Sequence, residues 1–135
     1  MPTTAIAEVC AWLQKRHPEL RYVAEGRSLT VSAPTPNGFD VTLIENDGVY
    51  IVAYDGWHEH FESQEEALRC FGSAFSDDFR LRVTLRGDYP YKWTLEHKKD
   101  GAWTEWSTTG LFLFPFWRRR RVQYRQNHLN RGESP

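Results

Sequence analysis

Apolar positions along the chain recur with two periods, one helical and one of two residues. Residues 5–16 set Ile6, Val9 and Leu13 on one helical face, with Thr3 or Thr4 available as a cap and Pro18 just past the end. Residues 63–75 do the same with Leu68, Phe71 and Phe75. They open on Ser63 and Glu66, the spacing of a capping box, in which each side chain satisfies a backbone donor that the first helical turn leaves free. Period-two runs predict strands over residues 29–33, 39–45 and 49–54 after the first helix, and over 79–86, 91–97 and 103–109 after the second. Loops fall at 34–38 and 87–90. Asp47-Gly48 and Asp100-Gly101 each separate two runs, and such a pair supplies the positive φ angles of a tight hairpin.

The two halves match at an offset of 52 residues: "LTVS" from Leu29 against "LRVT" from Leu81, and "FDVTLIENDG" from Phe39 against "YKWTLEHKKDG" from Tyr91. The matched units, about 5–55 and 63–109, read either as an internal repeat or as two meanders obeying the same strand and turn chemistry. The expected fold is a single α+β domain over residues 1–117, in the order α-β-β-β-α-β-β-β. Its antiparallel sheet has about six strands, and both helices pack on one face. An apolar and aromatic C-terminal segment follows, and then a basic tail over residues 118–135.

Strand alternation assigns the faces. In the second unit Phe79, Leu81, Val83, Leu85, Tyr91, Trp93 and Leu95 turn to the core, while Arg80, Arg82, Thr84, Arg86, Lys92, Thr94, Glu96 and Lys98 make a wet, mainly basic face. In the first unit the inward set reads as Val41, Leu43, Val49 and Ile51. That leaves Ile44, Tyr50, Val52 and Tyr54 outward, a patch too apolar to stand bare, since water contact forgoes roughly 25 cal/mol per Å². Two covers are available. Residues 111–117, "LFLFPFW", can return over the sheet or along its edge, with Pro115 disfavouring a central strand. A second copy or another protein can also supply the cover.

Composition adds an asymmetry. The 135 residues suit one domain, and 40% apolar with 26% charged residues describes a globular chain rather than a disordered one. Residues 1–117 carry 11 Lys and Arg against 17 Asp and Glu, net −6, whereas residues 118–135 carry six Arg against Glu133, net +5. No stretch approaches the ~20 apolar residues of a membrane span, and no signal-peptide pattern opens the chain. Cys10 and Cys70 fall on inward helix positions and read as reduced thiols. A cytoplasmic location is therefore expected.

Candidate chemistry is sparse. In an extended chain His58 and His60 project to one side and could share a metal, with His97 or Glu62 as further donors, so a metal-dependent enzyme built on them is one reading. No Cys or His pair of recognisable spacing completes the three or four ligands zinc generally takes. Nucleophile elbows and glycine-rich phosphate loops are missing. No catalytic, cofactor-binding or metal residue is assigned, and the expectation is a protein that is not an enzyme. Basic sheet faces with stacking aromatics hold single-stranded nucleic acid. Here the aromatics read as turned to the core, so a solvated face balanced by Glu96 is expected. The run Arg118, Arg119, Arg120 and Arg121 can engage phosphates. It can equally attract anionic lipid at ~1 kcal/mol per residue, with Phe112, Phe114, Phe116 and Trp117 entering the interface.

Over roughly residues 5–109 the element order resembles that of type III secretion chaperones, which implies a dimer holding an unfolded effector segment. The leading expectation is thus a non-catalytic cytosolic protein-binding module, homodimeric, whose contacts are Ile44, Tyr50, Val52, Tyr54, Phe112, Phe114, Phe116 and Trp117. The alternative is nucleic-acid or anionic-surface binding through Arg118 to Arg121.

Overall fold

The structure, a computed structural model, describes residues 4–127; the candidate cap Thr3 and the end of the basic tail, residues 128–135, lie outside the described residues. Helix α1 (Thr4–Arg16) leads into five strands, β1 (Tyr22–Glu25), β2 (Ser28–Val31), β3 (Val41–Asn46), β4 (Val49–Tyr54) and β5 (Trp57–Phe61). Helix α2 (Gln64–Ser73) then precedes β6 (Phe79–Arg86), β7 (Tyr89–Lys99), β8 (Ala102–Gly110) and β9 (Arg120–Arg125). All pairings are antiparallel, as expected, but they form two sheets rather than one: β1-β2-β3-β4-β5 and β8-β7-β6-β9.

Local chemistry explains most boundaries. Ser63 caps α2, its Oγ accepting from the Glu66 backbone N–H at 3.3 Å. Asp47 and Gly48 at the β3–β4 turn, like Asp100 and Gly101 at the β7–β8 turn, adopt the positive φ that two-residue hairpins require. The expected strands at 29–33, 39–45 and 49–54 appear as β2, β3 and β4, and those at 79–86, 91–97 and 103–109 as β6, β7 and β8. Strands β1, β5 and β9 are additional, so the observed order departs from the one that resembled secretion chaperones. Residues 120–125 of the expected tail pair with β6. Their end is fixed by the buried Asn127, whose Oδ1 accepts from the Phe39 N–H at 2.8 Å.

Both helices lie on one face of the five-stranded sheet, and a single apolar core joins Ile6, Val9 and Leu13 of α1 to Leu68 and Phe71 of α2 and on to Leu81 and Leu95 of the second sheet. The sheets meet edge to edge through side chains at β5 and β8. The Trp57 Nε1–H donates to Ser107 Oγ at 3.1 Å, and the His58 N–H to Thr109 Oγ1 at 3.2 Å. Gly56 makes the joint possible, because a Cβ there would stand 2.3 Å from the Trp93 ring.

The outward patch expected on the first unit is corrected. Ile44 does face out, half-buried, but Tyr50, Val52 and Tyr54 are core residues, and the Tyr54 hydroxyl lies under α2, where it donates to the Cys70 carbonyl. Turn arithmetic is the cause. A two-residue turn at 47–48 pairs Asn46 with Val49 and therefore Leu43 with Val52 and Val41 with Tyr54. Directly paired residues share a face, so Val52 and Tyr54 follow Leu43 and Val41 inward, and Val49 and Ile51 turn out with Ile44. The patch needs no cover from residues 111–117, which lie elsewhere. Burial holds the Tyr54 hydroxyl well above its ordinary pKa and pushes the Cys70 thiol up to about 12. Cys10 and Cys70 are both free.

Candidate functional site

Strand β8 ends at one edge of its sheet and β9 begins at the other, so residues 111–119 must cross the ends of β7 and β6. The first step extends the ladder, with the Leu111 N–H donating to the Tyr91 carbonyl at 2.8 Å. A bulge between β6 and β7 leaves Tyr91 unpaired opposite β6, and its ring stacks on Phe114 at 4.1 Å and 15°. That stack is the loop's anchor. Pro115 then prevents further ladder bonding, a turn closes with the Arg118 N–H donating to the Pro115 carbonyl at 3.0 Å, and the Gly87 N–H donates to the Arg119 carbonyl at 2.7 Å as β9 starts.

Pinning at Phe114 leaves its neighbours bare. Phe112 is 100% exposed, Leu113 86%, Phe116 70% and Trp117 72%. Isolated exposed apolar residues are ordinary, but with Leu111 also exposed five large ones stand on one short loop and form a contiguous apolar patch. Of the partner-binding residues expected from the sequence, Phe112, Phe116 and Trp117 thus stand at the surface, and Phe114 is spent on Tyr91. Leu113 joins them. An expectation framed as cover for a sheet had no reason to single it out.

The four arginines divide. Arg118, Arg119 and Arg120 are exposed, and no salt bridge among the described residues involves them. Arg121 is half-buried, donating to Asp88 Oδ1 at 2.7 Å and to the Gly87 carbonyl at 3.2 Å. Beside the loop an open surface groove of about 330 Å³ is lined by Arg86, Asp88, Tyr89, Pro115 and Arg118.

The basic sheet face carries a paired ladder. Buried Glu96 accepts from Arg80 Nε at 2.6 Å and from Arg82 Nη1 at 2.9 Å, and Arg82 Nη2 also donates to Glu105. That last bond draws the Glu105 carboxyl below its ordinary value. The reading that aromatics turn away from the basic face is corrected at three positions, one of them Tyr91, which is unpaired at the bulge with its ring centre 5.9 Å from the Arg86 guanidinium carbon. Trp103 and Tyr124 sit on the arginine face, with the Arg80 guanidinium 4.3 and 4.1 Å from their ring centres. The register of β6 with β9 and of β7 with β8 puts them there. Since Arg80 and Arg82 already have carboxylates and Arg80 two rings, this face is occupied by its own side chains.

His58 and His60 do share the outer side of β5, their rings 5.9 Å apart. Among the described residues no cluster of three His, Cys, Asp or Glu could hold a metal, and His97 stacks on Phe79 at 4.5 Å. No helix among the described residues is long and apolar enough to cross a membrane. Comparison with protein-family models, curated proteins and solved structures finds no match to this chain.

Proposed function

We propose that the chain is a non-catalytic interaction module whose contact element is the β8–β9 loop, and that the loop docks on an anionic membrane surface. One observation carries the reading: Phe112, Leu113, Phe116 and Trp117 stand bare directly beside exposed Arg118, Arg119 and Arg120. That is the arrangement an interface requires, with apolar groups to enter the acyl boundary and cations to sit at the head groups. Each large side chain buried is worth roughly 1.5–3 kcal/mol, and each arginine at an anionic surface ~1 kcal/mol. Side chains that enter only the interface recover part of these values, which supports reversible adsorption rather than permanent insertion. Nucleic acid is the weaker fit, because phosphates have no use for a bare Leu113 and Phe112, and Arg80 and Arg82 are already paired. A cytoplasmic site of action, with both thiols reduced, belongs to this reading.

Co-pelleting with vesicles tests it. The protein is expected to pellet with vesicles containing phosphatidylserine and to stay in solution with pure phosphatidylcholine. A variant carrying F112S, L113S, F116S and W117S is expected to keep its circular dichroism and lose the binding. Wild type left in the supernatant with anionic vesicles would sink the proposal.

A second reading, self-association as a homodimer, has its own support. The outer face of the five-stranded sheet pairs Ile44 with Ile51, and exposed Val49 and Val23 lie on the same side. Sedimentation equilibrium distinguishes it: a dimer that becomes monomeric in Ile51→Lys, but not in the loop variant, would assign that face to a second copy.

A further inference from the structure

We infer that the free edge of β1 pairs with the same edge of a second copy, antiparallel about Val23, and joins the two five-stranded sheets into one. The inference goes beyond the self-association reading above, whose contact is the outer face of that sheet. Strand β1 has β2 on one side and no strand on the other. Its register fixes which backbone groups are spare. The Ser32 N–H donates to the Arg21 carbonyl at 2.9 Å, so Arg21 and Ser32 form a hydrogen-bonded pair of the antiparallel ladder. Every second pair belongs to the same class, hence Val23 with Thr30 and Glu25 with Ser28. Tyr22 and Ala24 therefore point both N–H and C=O away from β2, and no hydrogen bond among the described residues takes these groups up. Gln14 Nε2 donates to the Tyr22 hydroxyl at 3.0 Å, which ties the strand to α1. An ordered edge with spare donors and acceptors is a template for another strand.

The side chains select the partner and the register. Arg21, Val23 and Glu25 share the outer face of the sheet and are exposed, Val23 by 63%. Neither Arg21 nor Glu25 has an ion-pair partner among the described residues. Spare backbone groups must meet spare backbone groups, so a second copy lies with Tyr22 opposite the partner's Ala24, or displaced from there by two residues either way. The central register sets Arg21 opposite the partner's Glu25 and Glu25 opposite the partner's Arg21. It also lays Val23 against the partner's Val23 on the two-fold axis, in the closer, non-hydrogen-bonded kind of pair. Displacement one way would set Glu19 opposite Glu25, and the other way Arg21 opposite Arg27. Like charges directly opposite one another are destabilising, so both displaced registers are disfavoured. The contact uses the same patch on both copies and closes on itself, which gives a dimer rather than a fibre. Residues 21–25 make a small contact, and the dimer is accordingly weak and concentration-dependent.

Sedimentation equilibrium over a concentration series tests the pairing. Wild type is expected to show a monomer–dimer equilibrium. R21E and E25R each set like charges opposite one another at both ends of the contact, and each is expected to weaken dimerisation by about tenfold. Mixing the two variants in equal amounts places opposite charges together again, and combining both substitutions in one chain does the same. The mixture and the double variant should therefore regain the wild-type affinity. Ala24→Pro removes a donor that only the partner uses, so it should leave the circular dichroism unchanged and abolish the dimer. Ile51→Lys, on the outer face, should leave this dimer intact. A wild type that stays monomeric at about 1 mM, a dimer that survives Ala24→Pro, or a loss in R21E and E25R that mixing does not restore would overturn the inference. A dimer lost in Ile51→Lys but kept in R21E would also overturn it, and would assign association to the outer face.

Discussion

Replacing Glu96 by Gln keeps the shape of a buried side chain and removes the negative charge between two guanidiniums. Glu96 holds Arg80 at 2.6 Å and Arg82 at 2.9 Å. In the variant, one amide oxygen still accepts from one arginine, while the amide NH₂ faces the other donor to donor. Taking one partner from a fully buried ion pair costs about 3–5 kcal/mol. Here the two arginine side chains are each 23% exposed, Arg82 keeps Glu105, and Arg80 keeps Trp103 and Tyr124, so hydration and neighbours recover part of the loss. About 2 kcal/mol remains, which at roughly 4 °C per kcal/mol for a domain of this size lowers Tm by about 8 °C. Urea unfolding followed by circular dichroism measures it. Glu105→Gln, whose side chain is 61% exposed, is the control and should cost clearly less, because solvent screens an exposed ion pair. Equal destabilisation by the two variants, within about 0.5 kcal/mol, would refute Glu96 as the centre of the ladder.

Val52→Asp should abolish folding and Ile51→Asp should not, because only Val52 turns to the core; native gels and circular dichroism compare them. Gly56→Ala should destabilise by about 1–3 kcal/mol through overpacking against Trp93, read as a lower urea midpoint at unchanged m-value. The Cys70 thiol should resist alkylation in the folded protein and react after unfolding. Since its folded pKa of about 12 lies above the ordinary 9.0, the unfolded chain loses that proton first, so its contribution to stability falls as pH rises from 9.0 towards 12. Glu105 works in the opposite sense. With its folded pKa lowered from 4.5 by Arg82, its contribution is present above that value and lost as pH falls through the folded pKa, and Glu105→Gln should flatten acid unfolding there.

Elements with a strong period were legible in the sequence. The Ser63 cap of α2, both Asp-Gly hairpins and the alternation of β6, Leu81 and Val83 against Arg80 and Arg82, all stand where the pattern puts them. Strand β4 was legible as a strand but not in its facing, because nearly every position from Val49 to Tyr54 is apolar and alternation has nothing to select on. The two-residue turn before it carried the missing information. Strand β5 hid behind His58, Glu59 and His60, which are exposed at a sheet edge, and β9 behind its arginines. In β9 the apolar residues Val122 and Tyr124 face out with Arg80 and Arg82, so no core period exists to find. The contact loop was visible as an apolar run against arginines. Its exposure was not, since that follows from β8 and β9 lying at opposite edges of one sheet.

The most direct test labels Leu113→Cys, in a Cys10→Ser background with Cys70 buried, with an environment-sensitive fluorophore and titrates it with anionic vesicles. Asp47→Cys, on the β3–β4 hairpin, is labelled in parallel. Insertion of the β8–β9 loop predicts a blue-shifted, brighter emission at position 113 and no change at position 47. An unchanged spectrum at 113, or the same change at both positions, would contradict the account.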